Sequence, residues 1–245
     1  LRHRVWSNLL QYALPDSRWN YDIASFIPDF RGSSSAIDRL VELPCYQYAS
    51  TLFVEPDNCL EELRFRALRD GKMVLVSTYG LRRGFVLLDP RRIGEAQLEI
   101  ASLLDGMERP GIGQHVTWSQ IQEADIHLDL CVTGAAAVTL DGMRFGKGHG
   151  WFDLQWGMFV DRKMVEPSTP VAVVVHGCQI VETGPTTAKF QLKEWDTPCD
   201  LIITPDEVIE SKCRAKPDCG ILWEKLKRDM LETLPPLQEL KGIQL

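Results

Sequence analysis

Ser50–Ser77 reads STLFVEPDNCLEELRFRALRDGKMVLVS, and the order of its parts decides the fold. The opening STLFVEP is an unbroken apolar run closed by a proline, the pattern of a strand buried on both faces. DNCLEELRFRALRDGK begins with Asp57 and Asn58 as candidate caps and stops at Gly71, which predicts a helix. KMVLVS is again apolar throughout and reads as the next strand. Strand, helix and strand in this order imply parallel neighbours with the helix laid across one face of a sheet.

The same alternation continues outward. GFVLLDP (84–90), LDLCVTGAAAV (128–138), PVAVVVHG (170–177) and DLIITP (200–205) read as further strands, the last being the final clear one. Helical spacing marks Arg2–Ala13, with Val5, Trp6, Leu9 and Leu10 on one side, and Gly94–Leu104. After IPDFRGSSS (27–35) the serines can cap a short helix carrying Ile37, Leu40 and Val41. GWFDLQWGMFVDRKM (150–164) reads as a helix. CGILWEKLKRDMLETL (219–234) reads as a closing helix, with Leu222, Leu226 and Met230 on one stripe and a solvated acidic face. The expectation is a three-layer α/β/α fold around a mainly parallel sheet, one domain over residues 1–245. Residues 81–114 are the least regular and read as a flap or small subdomain.

Composition narrows the function. The chain has 245 residues, 44% hydrophobic and 25% charged, ordinary for a globular protein with a sizeable core. A net charge of −7 argues against a broad nucleic-acid or membrane surface, while leaving room for a local basic pocket. No apolar run approaches the roughly 20 residues of a membrane span. The seven cysteines are odd in number and form no CxxC pair, so a reducing, cytoplasmic setting is expected, with neither disulfide framework nor structural zinc. The chain opens on Leu1 rather than Met, which leaves room for a preceding targeting segment. A monomer and a homodimer are both compatible with the apolar helix 150–164.

The stretch with chemistry in it is GMRFGKGHGWFD, Gly142–Asp153. It follows a strand and opens a helix, the place where α/β sheets bind ligands. A helix start offers free N–H groups and partial positive charge. Gly146, Gly148 and Gly150 can take positive φ and approach a ligand closely. Lys147 and Arg144 add cations, so anionic phosphate suits the loop. Neither the Walker nor the Rossmann spacing is present, and a plain strand–helix turn is the competing reading. Behind the loop, Trp151 can stack on a flat heteroaromatic ligand, with Phe152 beside it. Asp153 can favour the helix start, hold Mg²⁺ or take a proton. Trp156 and Phe159 read as core.

GMRFGKGHGWFD resembles the glycine-rich signature of 5-formyltetrahydrofolate cyclo-ligases, in the form G-x-R-I-G-K-G-E-G-Y-A-D-L-E of the methenyltetrahydrofolate synthase domain-containing branch. Other stretches resemble the same branch in the same order. RHRVW looks like its basic N-terminal helix and IPDFRGSSSA like its IPNFKG-A segment. EPDNCLEELR is similar to NPD-x-PQ-x-x-VR, and GKMVLVSTYGLRRGFVLLDP to a strand followed by PRLR-x-G and LDP. VVVHGCQIV and CDLIITPDEVI are similar to VHD-x-QVV and VD-I-TP-x-VI. Together they cover most of residues 2–223.

The resemblance implies a fold of the NagB/RpiA/CoA-transferase type. It implies an enzyme that uses Mg-ATP to activate the formyl oxygen of 5-formyltetrahydrofolate, so that a second folate nitrogen closes the methenyl ring. By the same resemblance Arg144, Gly146, Lys147, Gly148 and Gly150 would line the phosphates, and Asp153 would serve Mg²⁺ or the reacting centre. Trp151 stands for the family tyrosine. Gln179 and Asp200 would lie at neighbouring strand ends. Arg2 or Arg4 would supply a basic contact, and Arg82 matches the second arginine of PRLR.

The departures fall on polar positions. Tyr79-Gly80 replaces Pro-Arg, so one cation is gone, and Arg83 replaces it only with a shifted register. Gly177 replaces the Asp of VHD, Cys59-Leu60 replaces Pro-Gln, and Gln155 replaces the last Glu of the signature. His149 stands for the Glu of GKGEG, where the helix start disfavours imidazolium and leaves a neutral base. His176, at a strand end, is a second candidate at the ligand. Three functions follow: an ATP-dependent cyclo-ligase on a folate-like or other small heteroaromatic substrate, an ATP-independent cyclase, isomerase or hydrolase using His149 and Asp153, and a non-catalytic ligand-binding protein.

Overall fold

The apolar runs lie side by side because each has two faces to bury. The computed structural model describes residues 2–182, 192–212 and 215–244; the side chain of Arg2 and residue Cys213 lie outside the described residues. In chain order the strands are β1 (Thr51–Val54), β2 (Met73–Ser77), β3 (Phe85–Leu88), β4 (Gln114–Val116), β5 (Leu130–Gly134) and β6 (Ala137–Thr139). They continue with β7 (Arg144–Phe145), β8 (Val171–Val174), β9 (Ile180–Val181), β10 (Leu201–Ile203) and β11 (Val208–Glu210). The helices are α1 (Arg2–Leu9), α2 (Ser33–Val41), α3 (Pro44–Gln47), α4 (Glu61–Arg69) and α5 (Leu98–Ser102). Four follow: α6 (Trp118–Glu123), α7 (Trp151–Asp161), α8 (Arg228–Thr233) and α9 (Pro235–Gln244).

Among the described residues the main sheet has the order β11-β10-β8-β5-β1-β2-β3-β4. Its centre, β10 to β2, is parallel throughout, with Leu52 facing Val74 on one side and Leu130 on the other. β3, β4 and β11 are antiparallel additions at the edges. A second sheet, β7-β6-β9, pairs β6 antiparallel with β7 and parallel with β9.

Alternation along each strand divides the core in two. Leu52, Val54, Val74, Val132 and Ile203 pack with α2, α4 and α5. Phe53, Leu75, Cys131, Val173 and Ile202 pack with α6, α7 and α9. The result is the three-layer α/β/α arrangement expected from the runs. Residues 81–114 supply β3, which hydrogen-bonds along β2, and α5, which packs on the first face. The inner face of α7, with Trp156, Met158 and Phe159, belongs to the core.

Local readings change in four places. The first helix ends at Leu9, and Leu10 is 61% exposed. The serines lie inside α2, whose N-cap is Gly32 at φ 90°. Asp57 precedes and Asn58 opens a single 3-10 turn, Asn58–Leu60, and the Asp57 side chain makes no cap hydrogen bond to it. The closing helix is broken: a 3-10 turn at Trp223–Lys225, extended Lys227, then α8, with α9 starting anew at Pro235.

Candidate active site

The parity that builds the core also builds the site. Glu55, Ser77 and Thr133 follow Phe53, Leu75 and Cys131 on the α7 face, one residue pair further along β1, β2 and β5. A polar row therefore caps an apolar one at the carboxyl ends of three adjacent parallel strands, where ligands bind in such sheets. All three residues line a cavity of about 1220 Å³. The hairpin β6–β7, the glycine loop 146–150 and the start of α7 form the facing wall. Trp19, Phe26 and Tyr79 add an aromatic side, with Trp19 stacked on Phe26 at 5.6 Å and tilted against Tyr79 at 4.5 Å.

Glu55 is only 6% exposed. Its Oε2 accepts from the Ser77 hydroxyl at 2.9 Å. Burial, then the Asp57 carboxylate, pushes its pKa up to about 8. Burial also raises Asp57, to about 6, although its Oδ2 accepts the Gly134 N–H at 2.8 Å. Behind this turn stands Arg64 of α4, buried, donating to the carbonyls of Ser102, Glu55 and Asp57 at 2.7, 2.8 and 3.3 Å. The turn that carries the two carboxyls is thus pinned from the far side of the sheet.

On the facing wall, Lys147 lines the cavity and is the cation the loop offers. Its ammonium lies 3.4 Å from the Ile23 carbonyl oxygen and over the Trp6 and Phe26 rings. Burial lowers its pKa to about 8. Gly148 and Gly150 have φ of 95° and 69°, and Gly150 is the N-cap of α7; Gly146 does not share the positive φ. A Cβ at Gly146 or Gly150 would point into open space.

Arg144 lines the cavity yet is spoken for. Its guanidinium donates to the Thr197 carbonyl at 2.7 Å and to Asp153 Oδ1 at 2.9 Å, and covers the Phe152 ring at 4.2 Å. Asp153 Oδ1 also accepts the Thr197 N–H at 2.9 Å. The pair ties the start of α7 to the 197 segment, so neither member is a free phosphate or metal contact. Burial raises the Asp153 pKa against the pull of Arg144.

His149 is exposed and stacks on Trp151 at 5.7 Å, both on the cavity wall. Arg82 is on the wall and makes no hydrogen bond or ion pair among the described residues, whereas Arg83 turns away to Glu108. Tyr79 reaches the wall and donates to the Ser25 carbonyl at 3.1 Å. Arg4 is exposed on α1 and does not line the cavity.

Three expected ligand contacts serve the scaffold instead. His176 stacks on Tyr12 at 3.9 Å, and its Nδ1 accepts the Cys178 N–H. Gln179 donates to the Ala135 carbonyl and accepts the His176 N–H, closing a capping box. Asp200 binds the Lys216 ammonium at 2.6 Å and the Val171 N–H at 2.7 Å. None of the three lines the cavity.

The model of the 5-formyltetrahydrofolate cyclo-ligase family matches residues 7–205. The chain belongs to that family. Among curated relatives, the methenyltetrahydrofolate synthase domain-containing protein of Mus musculus is 30% identical over 98% of this chain and 62% of its own length. The Homo sapiens protein of the same description is 29% identical over 99% of this chain and 61% of its own. The chain thus spans about three fifths of the curated relatives it matches. A solved 5,10-methenyltetrahydrofolate synthetase of Aquifex aeolicus aligns with a TM-score of 0.48 at 19% identity, covering 86% of this chain and 92% of that one.

Against the cyclo-ligase signature, the residues that sequence reading missed are Glu55, Asp57, Ser77, Thr133 and Gln155. The signal was present for the first two: acidic residues directly after a strand buried on both faces. Gln155 is 1% exposed, lies beside Glu55 and lines the cavity, and its Oε1 has no partner. Thr197 Oγ1 and Trp19 Nε1, on the same walls, are likewise buried without a partner. Buried polar atoms in this state are expected to meet a ligand or water.

Proposed function

We propose that the cavity closes a ring on a folate-like or other small heteroaromatic substrate, as in the conversion of 5-formyltetrahydrofolate to 5,10-methenyltetrahydrofolate. The observation that carries this reading is one cavity with three kinds of wall. A carboxyl floor, an aromatic side and a cationic glycine loop suit, respectively, ring nitrogens, a flat ring and an anion. Trp19 and Trp151 are the candidate stacking partners, and Phe152 lies beneath the guanidinium of Arg144.

The phosphates of ATP fit the loop: Lys147, the α7 N-terminus and the open space at Gly146 and Gly150 would hold them, with Arg82 the further cation. ATP would supply the phosphoryl group that carries the formyl oxygen away. A protein-built magnesium site is not supported. Asp153 is held by Arg144, and among the described residues no group of His, Cys, Asp and Glu gathers to bind a metal. The roles of the chain itself are to stack the ring, exclude water and hold a proton at Glu55.

A second reading, acid–base chemistry without ATP, is favoured by that same floor, with Glu55 and Asp57 in place of His149 and Asp153. The test is turnover of 5-formyltetrahydrofolate with and without Mg-ATP, following methenyl absorbance and phosphate release together. ATP-dependent methenyl formation is the expected result. Methenyl formed without phosphate release would favour the second reading, and binding without product would favour a ligand-binding protein.

A further inference from the structure

The carboxyl floor carries an inference that rests on the ring-closing reading and goes past it. Glu55 and Asp57 stand two residues apart at the end of β1, face one cavity, and make no ion pair among the described residues. None of the cations on the cavity walls, Arg82 included, pairs with either carboxyl among the described residues. Arg64 of α4 donates to backbone carbonyls, Arg144 is bound by Asp153 and Thr197, and Lys147 lies at the Ile23 carbonyl. Two carboxyl groups this sheltered, with no cation in contact, do not both ionise. The hydrogen bonds say where the remaining proton sits. Asp57 accepts the Gly134 N–H, which can only donate and so favours an ionised carboxylate, whereas the partner of Glu55 at Oε2 is the Ser77 hydroxyl, which can donate or accept and so tolerates a protonated carboxyl. Gln155, beside Glu55, holds its carboxyl by a side-chain hydrogen bond that favours the ionised form, a pull that the burial of Glu55 outweighs.

We propose that Glu55 and Asp57 hold one proton between them and use it in ring closure, Glu55 as the acid and Asp57 as the base. The substrate N–H nitrogen forms the C–N bond to the formyl carbon while the carbonyl π bond opens. The formyl oxygen takes the proton from Glu55, and the proton on nitrogen passes to Asp57. The pair ends with the one proton it began with, on the other carboxyl. The product is a carbinolamine; its hydroxyl would lose a proton and take the phosphoryl group from ATP, and the oxygen would leave as phosphate when the C–O bond breaks, giving the methenyl cation. Placing acid and base on one turn lets both transfers accompany C–N bond formation.

The experiment uses the whole chain and two readouts. Infrared spectra at neutral pH are compared for the wild type and Glu55→Gln, with Asp57→Asn as the second variant and thermal melting to check folding. The carbonyl stretch of a protonated carboxyl is expected in the wild type and absent in Glu55→Gln. Turnover of 5-formyltetrahydrofolate is then followed across pH. Glu55→Gln keeps a donor and an acceptor at the same place, so KM should hold while kcat falls about 100-fold or more and its alkaline limb disappears. A wild type without the protonated-carboxyl band overturns the proposal, and so does Glu55→Gln with unchanged kcat. If the wild type forms no methenyl at all, the ring-closing reading fails. The infrared comparison then stands alone: a band lost in Glu55→Gln supports the one-proton pair, and no band overturns it.

Discussion

Arg144 and Glu55 show how a single residue's partners reverse a reading made from its type. An arginine in a glycine loop suggests phosphate, but this guanidinium already has a carboxylate, a carbonyl and a ring. Its side chain is 7% exposed, so losing its counter-charge leaves a buried cation. Asp153→Ala is therefore expected to lower stability by about 3 kcal/mol in urea titration. A fully stable Asp153→Ala variant with weakened magnesium response would restore the metal role. Glu55 is the opposite case, a carboxyl with too few partners. Its folded pKa of about 8 lies above the 4.5 of the free side chain. The folded protein thus binds the extra proton, and this contribution is fully present below about pH 4.5 and lost as pH rises through 8. The scale is on the order of 1.4 kcal/mol per pKa unit. The wild type should lose melting temperature between pH 5 and pH 8.5 more steeply than Glu55→Gln. Parallel curves would show that Glu55 ionises normally. The family pattern quoted for this turn carries Asn where Glu55 stands. A neutral carboxylic acid keeps the donor and acceptor of that amide and adds a transferable proton.

At the scale of elements, what was legible is what repeats. Strands such as Val171–Val174 announce themselves because both faces are buried, and α7 because its apolar stripe is long. β4, with three residues, and α6, with six, are too short to show a period. α9 was hidden by its own start. Pro235-Pro236 reads as a stop, yet proline is favoured in the first turn of a helix, and Leu234 before it is extended, as the ring demands. The glycine loop was legible, whereas the floor was not, because it depends on register between strands distant in sequence. Gly134 at the end of β5 makes the point. A Cβ there would stand 2.7 Å from Ile27 Cγ2 and 3.0 Å from the Asp57 carboxylate that its N–H holds. Gly134→Ala should leave the sheet formed, since the neighbours to move are side chains, but push Asp57 from its place. The expected outcome is a cooperative melt with at least a tenfold loss of turnover, or about 1.4 kcal/mol in the barrier. Wild-type turnover in this variant would mean that the position of Asp57 does not matter.

At the scale of the whole molecule, the cavity joins parts that lie far apart in the sequence. The strand ends supply its floor, α7 and the β6–β7 hairpin its far wall, and the segment around Trp19 its aromatic side. A ligand touching all of them stabilises the folded state by binding it alone, by about 2.7 kcal/mol at a hundredfold excess over Kd. For a chain of this length each kcal/mol moves the melting temperature by roughly 2–4 °C, so a rise of about 5–10 °C is expected. The two halves of the proposed site can be separated by adding 5-formyltetrahydrofolate and ATP singly and together. If the floor and the aromatic side hold the ring while the loop holds phosphates, each ligand alone should raise the melting temperature. Lys147→Ala should then remove the ATP effect and spare the folate effect. If ATP gives no shift while the folate does, the loop is a turn and the carboxyl floor carries the chemistry. A shift from ATP that survives Lys147→Ala would place the phosphates away from the loop and leave Arg82 as the cation to test.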